Sequence, residues 1–254
     1  MSCWRKVLLW SFKSPPTLLT FPLGTFLTML LHLARHAQIL SQTRDPQAVQ
    51  PHLIKCFDAV KRLQFGEGEE SKKMLALISA EAEKVPFSTP PVAEGPVESW
   101  LLAMQHNMCS TLYDNCKGCL IELGNASVPW MTEKPGVAGW DPIDRLDSWY
   151  FSFPAAAIIM IGQVEWTGGC TEALLAMEDG SNPNGMKDYQ TGWINMIDYM
   201  VSIVRRQLTP NQRKVIGAKL TLDVHARDTN FEMIHKNISW VNDFDWQKQL
   251  RYYW

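Results

Sequence analysis

The stretch Val97-Glu98-Ser99-Trp100-Leu101-Leu102-Ala103-Met104-Gln105-His106-Asn107-Met108-Cys109-Ser110-Thr111-Leu112-Tyr113-Asp114-Asn115-Cys116-Lys117-Gly118-Cys119-Leu120 decides the fold class of this chain. Its apolar residues Val97, Trp100, Leu101, Met104, Met108, Leu112, Cys116 and Cys119-Leu120 recur every three or four positions, which keeps them on one face of an α-helix. The seam persists for about 24 residues, roughly 36 Å of rod. Gly95-Pro96 opens the helix, and Gly124 is placed to end it. So long an apolar seam needs other helices against it, and the chain reads as mainly α, an elongated helical bundle.

Toward the C-terminus, an irregular insert rich in Gly and Pro runs to Asp144. Trp149 to Trp166 is apolar almost all round, with Pro154 suited to a first helical turn, which predicts a buried helix that Gly168-Gly169 breaks. Thr171 to Glu178 then makes a brief helix before the turn Asp179-Gly180-Ser181-Asn182-Pro183-Asn184-Gly185. Tyr189, Trp193, Met196, Ile197, Met200, Ile203 and Val204 mark a second long helix over 186–206. Thr209-Pro210-Asn211-Gln212 offers an N-cap, a first-turn proline and a Gln to close a capping box, so a third long helix spans 210–236. Ile216, Ala218, Leu220, Leu222, Val224 and Ala226 alternate as a strand would, but the cap decides for a helix with Ile216, Leu220, Val224, Phe231 and Ile234 near one face.

Toward the N-terminus, Met74 to Ile78 and Glu83 to Phe87 flank the small polar centre Ser79-Ala80-Glu81-Ala82 and predict one β-hairpin at about 74–87. From Pro51, the spacing of Leu53, Phe57, Val60 and Leu63 predicts a short amphipathic helix that stops at Gly66. The acidic loop Gly66-Glu67-Gly68-Glu69-Glu70-Ser71 would repel a phosphate rather than cradle one. Residues 1–44 carry Arg5, Lys6, Lys13, Arg35 and Arg44 with no acid, and Pro15, Pro16, Pro22 and Gly24 interrupt their apolar stretch. Neither a secretory signal nor a spanning helix is expected there, and the reading is a disordered or partly helical leader before a helical domain over 45–254.

Of 254 residues 46% are apolar, enough for a sizeable core, and 24 basic against 26 acidic side chains leave a net charge of -2. That balance lacks the positive field that holds a phosphate backbone, so nucleic acid is not an expected partner, and neither is a membrane. Six irregularly spaced cysteines in a chain of this length suggest reduced thiols in the cytoplasm, where the sequons at Asn125 and Asn237 are silent.

Three clusters are candidates for chemistry. His32 and His36 stand at i,i+4, but Leu33 occupies the position where a zinc protease needs Glu, which leaves two surface histidines. Cys116-Lys117-Gly118-Cys119 has redox spacing with Cys109 upstream, yet it falls late in a helix, where no helix dipole acidifies a thiol. In Asp223-Val224-His225-Ala226-Arg227-Asp228, His225 and Asp228 form a possible acid/base pair, while Asp223 and Arg227 at i,i+4 read as an ordinary ion pair. A polar network holding helices in register explains this cluster better than catalysis. No nucleotide loop or nucleophile elbow occurs, so the expectation is no catalytic, cofactor-binding or metal residue. The alternative is a stand-alone cytosolic helical enzyme or metal/redox protein using Cys109, Cys116 and Cys119 or His225 and Asp228.

At this cluster the sequence meets a family. Gln47-Ala48-Val49-Gln50-Pro51-His52-Leu53, Cys56-Phe57-Asp58, Ser79-Ala80-Glu81-Ala82-Glu83-Lys84-Val85-Pro86-Phe87, Gly95-Pro96-Val97-Glu98-Ser99-Trp100-Leu101, Gln163-Val164-Glu165-Trp166-Thr167, Asp223-Val224-His225-Ala226-Arg227-Asp228 and Asp245-Trp246-Gln247-Lys248-Gln249-Leu250-Arg251-Tyr252-Tyr253-Trp254 follow one another as in the linker region of dynein heavy chains. Over about residues 38–254 the chain resembles that linker, most closely the axonemal type. Ala82 stands where the family usually has Gly at the hairpin turn. The resemblance implies a mechanical lever without chemistry of its own, bent and straightened by an AAA+ ring whose Walker A loop lies downstream of Trp254. It further implies ATP and Mg in the parent motor but no cofactor here. The implied partners are that ring and, indirectly, other dynein subunits and microtubules, and the implied setting is the cytoplasm, the cytoskeleton and the axoneme of a cilium or flagellum.

Overall fold

A computed structural model describes residues 46–57, 60–125 and 149–254. The expected leader, the histidine pair His32/His36 and most of the Gly/Pro-rich insert lie outside the described residues. The chain divides into two compact units, Met1–Asp114 and Asn115–Trp254.

In the first unit, a 3-10 turn Pro46–Val49 leads into helix α1, Gln50–Cys56, with Pro51 in the first turn, where its missing N–H costs nothing. The helix was expected to reach Gly66, yet it stops at Cys56: Phe57 is already extended (φ -130°) and its N–H closes on Leu53 O. Residues Arg62–Phe65 instead form strand β1, antiparallel to β2, Met74–Ile78, which pairs in turn with β3, Lys84–Pro86. The sheet order is β1-β2-β3, with Leu63 opposite Leu77 and Leu77 opposite Val85. Leu53, Phe57, Val60 and Leu63 are all buried, as the helical reading required, but by a helix followed by a strand. Gln50 explains the switch. Its side-chain amide donates to Leu63 O at 2.7 Å and accepts from Leu63 N at 2.8 Å, reproducing a ladder rung on the outer edge of β1.

The predicted hairpin is present as β2–β3. Ser79 Oγ accepts from Glu81 N and Glu83 N, and Ala82 closes the turn at φ +66°, the left-handed region that favours glycine. Helix α2, Val97–Asn125, carries the deciding seam with Trp100, Leu101, Met104, Met108, Leu112, Cys116 and Cys119 all buried. The division between the two units falls within it.

In the second unit, Trp149 is buried and donates its indole N–H to Cys119 O at 3.0 Å. Residues 149–152 are helical; Pro154 is extended (ψ 145°) and caps helix α3, Ala155–Glu178. The predicted break at Gly168-Gly169 does not occur, and α3 runs through both glycines. Helix α4, Gly185–Val204, and helix α5, Pro210–His235, complete a trio in which each helix packs on the other two. At the start of α5 the capping box forms: Thr209 Oγ1 accepts from Gln212 N and Gln212 Oε1 accepts from Thr209 N.

A short helix α6, Phe244–Gln247, then lays Trp246, wholly buried, edge-on against Trp166 of α3, ring centroids 5.6 Å apart. Arg251 stacks on Trp246, and Tyr252 N donates to Thr167 Oγ1 at 3.0 Å. These contacts strap the chain back across α3.

A buried polar seam as the candidate functional site

The face that α5 buries departs from the one its apolar residues suggest. Inside are Ile216, Lys219, Asp223, Ala226, Thr229, Asn230 and Met233; Leu220, Val224 and Ile234 are only partly buried and Phe231 is 50% exposed. The helix is as expected, but it is rotated by about one residue, about 100°.

Each buried polar group has a built environment. Lys219 and Asp223, 2% and 0% exposed, form an i,i+4 ion pair through Lys219 Nζ and Asp223 Oδ2. The ammonium lies 5.7 Å from the Trp193 ring of α4, and the indole N–H of Trp193 donates to Asp223 O at 3.0 Å. Gly162 of α3 makes room for the lysine: a Cβ there would come 2.8 Å from Nζ. One turn on, Gln190 donates to Arg227 O at 3.3 Å. Beyond it, Asn230 Oδ1 accepts from both Trp166 Nε1 (3.0 Å) and Cys170 Sγ (3.2 Å) of α3. Burial pushes the Asp223 carboxyl above its ordinary value, while the Lys219 ammonium beside it pulls the other way. Breaking such a pair on one side strands a charge in the core and costs about 3–5 kcal/mol. Asp223 Oδ1, Gln190 Oε1 and Asn230 Nδ2 have no protein partner among the described residues, and such atoms are the usual anchors of internal water.

The residues considered for chemistry do not converge here. The expected Asp223–Arg227 pair is absent because Asp223 faces inward to Lys219, whereas Arg227 binds the neighbouring Asp228 at 2.8 Å on the surface. His225 is exposed, and Asp228 is held by Arg227. Cys116 and Cys119 are buried, and burial pushes Cys116 up to about 11 and Cys119 higher still. That is the reverse of the acidified thiol a redox dithiol needs. Cys109 sits half-buried on the same helix. Among the described residues, no three His, Cys, Asp or Glu side chains gather as metal ligands, and no helix is long and apolar enough to cross a membrane. Sequence reasoning missed Lys219, Gln190 and Asn230; the signal for Lys219 was its i,i+4 spacing to Asp223, as good as that of Arg227.

Comparison with known proteins bears on most of the chain. Residues 34–119 match the model of the dynein heavy chain N-terminal region 2, which takes in α1, the sheet and most of α2. Similarity to individual dynein heavy chains covers a larger share of the chain. Over 85% of this chain, it is 32% identical to dynein axonemal heavy chain 6 of Homo sapiens and 31% identical to dynein axonemal heavy chain 2 of Homo sapiens. Dynein axonemal heavy chain 1 of Rattus norvegicus is 34% identical over the same share.

The chain belongs to the dynein heavy chain family.

It spans 4–5% of the length of these dynein heavy chains. Within a dynein heavy chain the matched part is the N-terminal region, and the seam of α3–α5 lies beyond the residues that the family model covers.

Proposed function

We propose that this chain is a lever segment of an axonemal dynein heavy chain, a linker that carries the ATP-driven change of an AAA+ ring into movement along microtubules. The observation that carries the reading is that the axonemal relatives match 85% of the chain. A lever must resist bending and sliding between its helices, and a trio of 20 to 26 residues per helix, joined by buried indoles that hydrogen-bond from one helix to the next, supplies that resistance. Its movement is a change between two packings, biased by nucleotide bound in the ring. On this reading the segment has no chemistry and no cofactor of its own; ATP and Mg belong to the ring. The ring is its direct partner, other dynein subunits and microtubules are indirect ones, and its place is the ciliary axoneme. The raised Cys116 and Cys119 thiols and the outward His225 favour this over a thiol or acid/base enzyme.

The test is a chimaera. Residues 45–254 replace the matching segment of an axonemal dynein heavy chain, and ATPase activity and microtubule gliding are both measured. Gliding with ATPase intact is the expected result; a folded, ATP-hydrolysing chimaera that moves no microtubule refutes the reading.

A further inference from the structure

We propose that the Lys219–Asp223 pair, seated against Gly162 and Trp193, selects which face of α5 is buried and keeps a more apolar face of the same helix outside. Rolling α5 by one residue would exchange Lys219 for Leu220, Asp223 for Val224, Asn230 for Phe231 and Met233 for Ile234 in the interior, and would also trade Ile216 for Gly217 and Ala226 for Arg227. Apolar burial by itself still favours that roll, since Leu220, Val224, Phe231 and Ile234 together carry more apolar surface than the Ile216, Ala226 and Met233 they would displace. Yet the observed helix leaves Phe231 50% exposed and buries the charges. What the rolled helix cannot reproduce is the set of fitted contacts. The ammonium needs the notch at Gly162, where any Cβ would collide with it, and the Trp193 ring. The α5 backbone at Asp223 accepts the Trp193 indole, and Asn230 accepts from Trp166 and Cys170. These contacts reach both neighbouring helices, so they fix rotation as well as depth. A polar group with one good position inside a core specifies arrangement at the expense of stability. The inference concerns the packing of the trio and does not depend on the lever reading.

The experiment labels the purified chain in its native state. Lysine acylation reads Lys219, hydroxyl-radical oxidation reads Phe231, both located by mass spectrometry, and circular dichroism reports helix content. In the parent protein Lys219 is protected and Phe231 reacts. Asp223→Ala removes the counter-charge while keeping Leu220, Val224 and Phe231 available, so α5 rolls: Lys219 acylation rises about ten-fold or more and Phe231 oxidation falls by a similar factor. Asp228→Ala, on the surface, changes neither. If Asp223→Ala loses its helix content, Gly162→Ala decides, because it keeps both charges and fills only the notch; the same reciprocal change at Lys219 and Phe231 is expected. A folded Asp223→Ala or Gly162→Ala protein with Lys219 still protected and Phe231 still reactive overturns the proposal. A rise at Lys219 without a fall at Phe231 also overturns it, since that is local loosening and not a change of face.

Discussion

Alanine at position 169 should destabilise this protein, whereas alanine at the adjacent position 168 should stabilise it. Both glycines lie inside α3. In a helix interior, glycine is about 0.5–1 kcal/mol less favourable than alanine, so either replacement starts with that gain. At Gly168 a Cβ would meet nothing within 4 Å, and the gain stands. At Gly169 the added carbon would lie 2.6 Å from Tyr189 Cζ and 2.7 Å from its hydroxyl oxygen. The ring is nearly wholly buried, tilted against Trp193 at 5.8 Å, with its hydroxyl directed to Trp166 O, so it has to retreat by about 1 Å out of a packed site. Overpacking of this kind costs about 1–3 kcal/mol, and the displaced hydroxyl about 1 kcal/mol more, which leaves Gly169→Ala about 1–3 kcal/mol less stable than the parent. For a chain of this size the two variants should melt about 5–15 °C apart, Gly168→Ala above the parent and Gly169→Ala below. Thermal unfolding followed by circular dichroism measures both. If Gly169→Ala melts at or above Gly168→Ala, the close approach of Tyr189 to the α3 backbone, and the explanation it gives for an unbroken helix, are wrong.

Two further outcomes follow from local geometry. Ala82 sits at φ +66°, where a Cβ is crowded, so Ala82→Gly should raise stability by about 0.5–1 kcal/mol in denaturant titration; a loss would mean that the turn is not left-handed. For Cys116, the folded thiol titrates at about 11 against an ordinary 9.0, so its stabilising contribution is complete below pH 9 and disappears as pH rises toward 11, about 3 kcal/mol in all. The drop in stability between pH 8 and pH 11 should therefore be shallower in Cys116→Ala than in the parent, and equal slopes would show the thiol to be open to water.

Much of the fold could be read before the structure, wherever a local rule was also the deciding one. The three-and-four spacing of Trp100 to Cys119 and of Tyr189 to Ile203 identifies α2 and α4, and Thr209 with Gln212 marks the start of α5. The misreadings share a different cause. Leu63 belongs to a strand because Leu77 and the Gln50 amide lie on either side of it, neither of them a neighbour in sequence. Gly168-Gly169 looked like a break because nothing local announces that Tyr189 needs the space. The buried face of α5 was misassigned because hydrophobicity ranks Leu220 and Phe231 above Lys219 and Asn230. That ranking reverses only when the notch at Gly162 and the indoles of Trp166 and Trp193 are known.

The strap formed by α6 and the residues after it has a consequence for synthesis. Trp166 leaves the ribosome 80 residues ahead of Trp246, the ring that finally shields it, and ahead of Tyr252, whose amide meets Thr167. During that interval the nascent α3 carries an uncovered indole face, so the growing polypeptide needs protection by a chaperone or by provisional collapse onto α4. Slow decoding after Trp166 has emerged from the exit tunnel and before Trp246 has done so would lengthen that exposure. Translation speed within this window therefore influences the yield of soluble protein with no change in any amino acid.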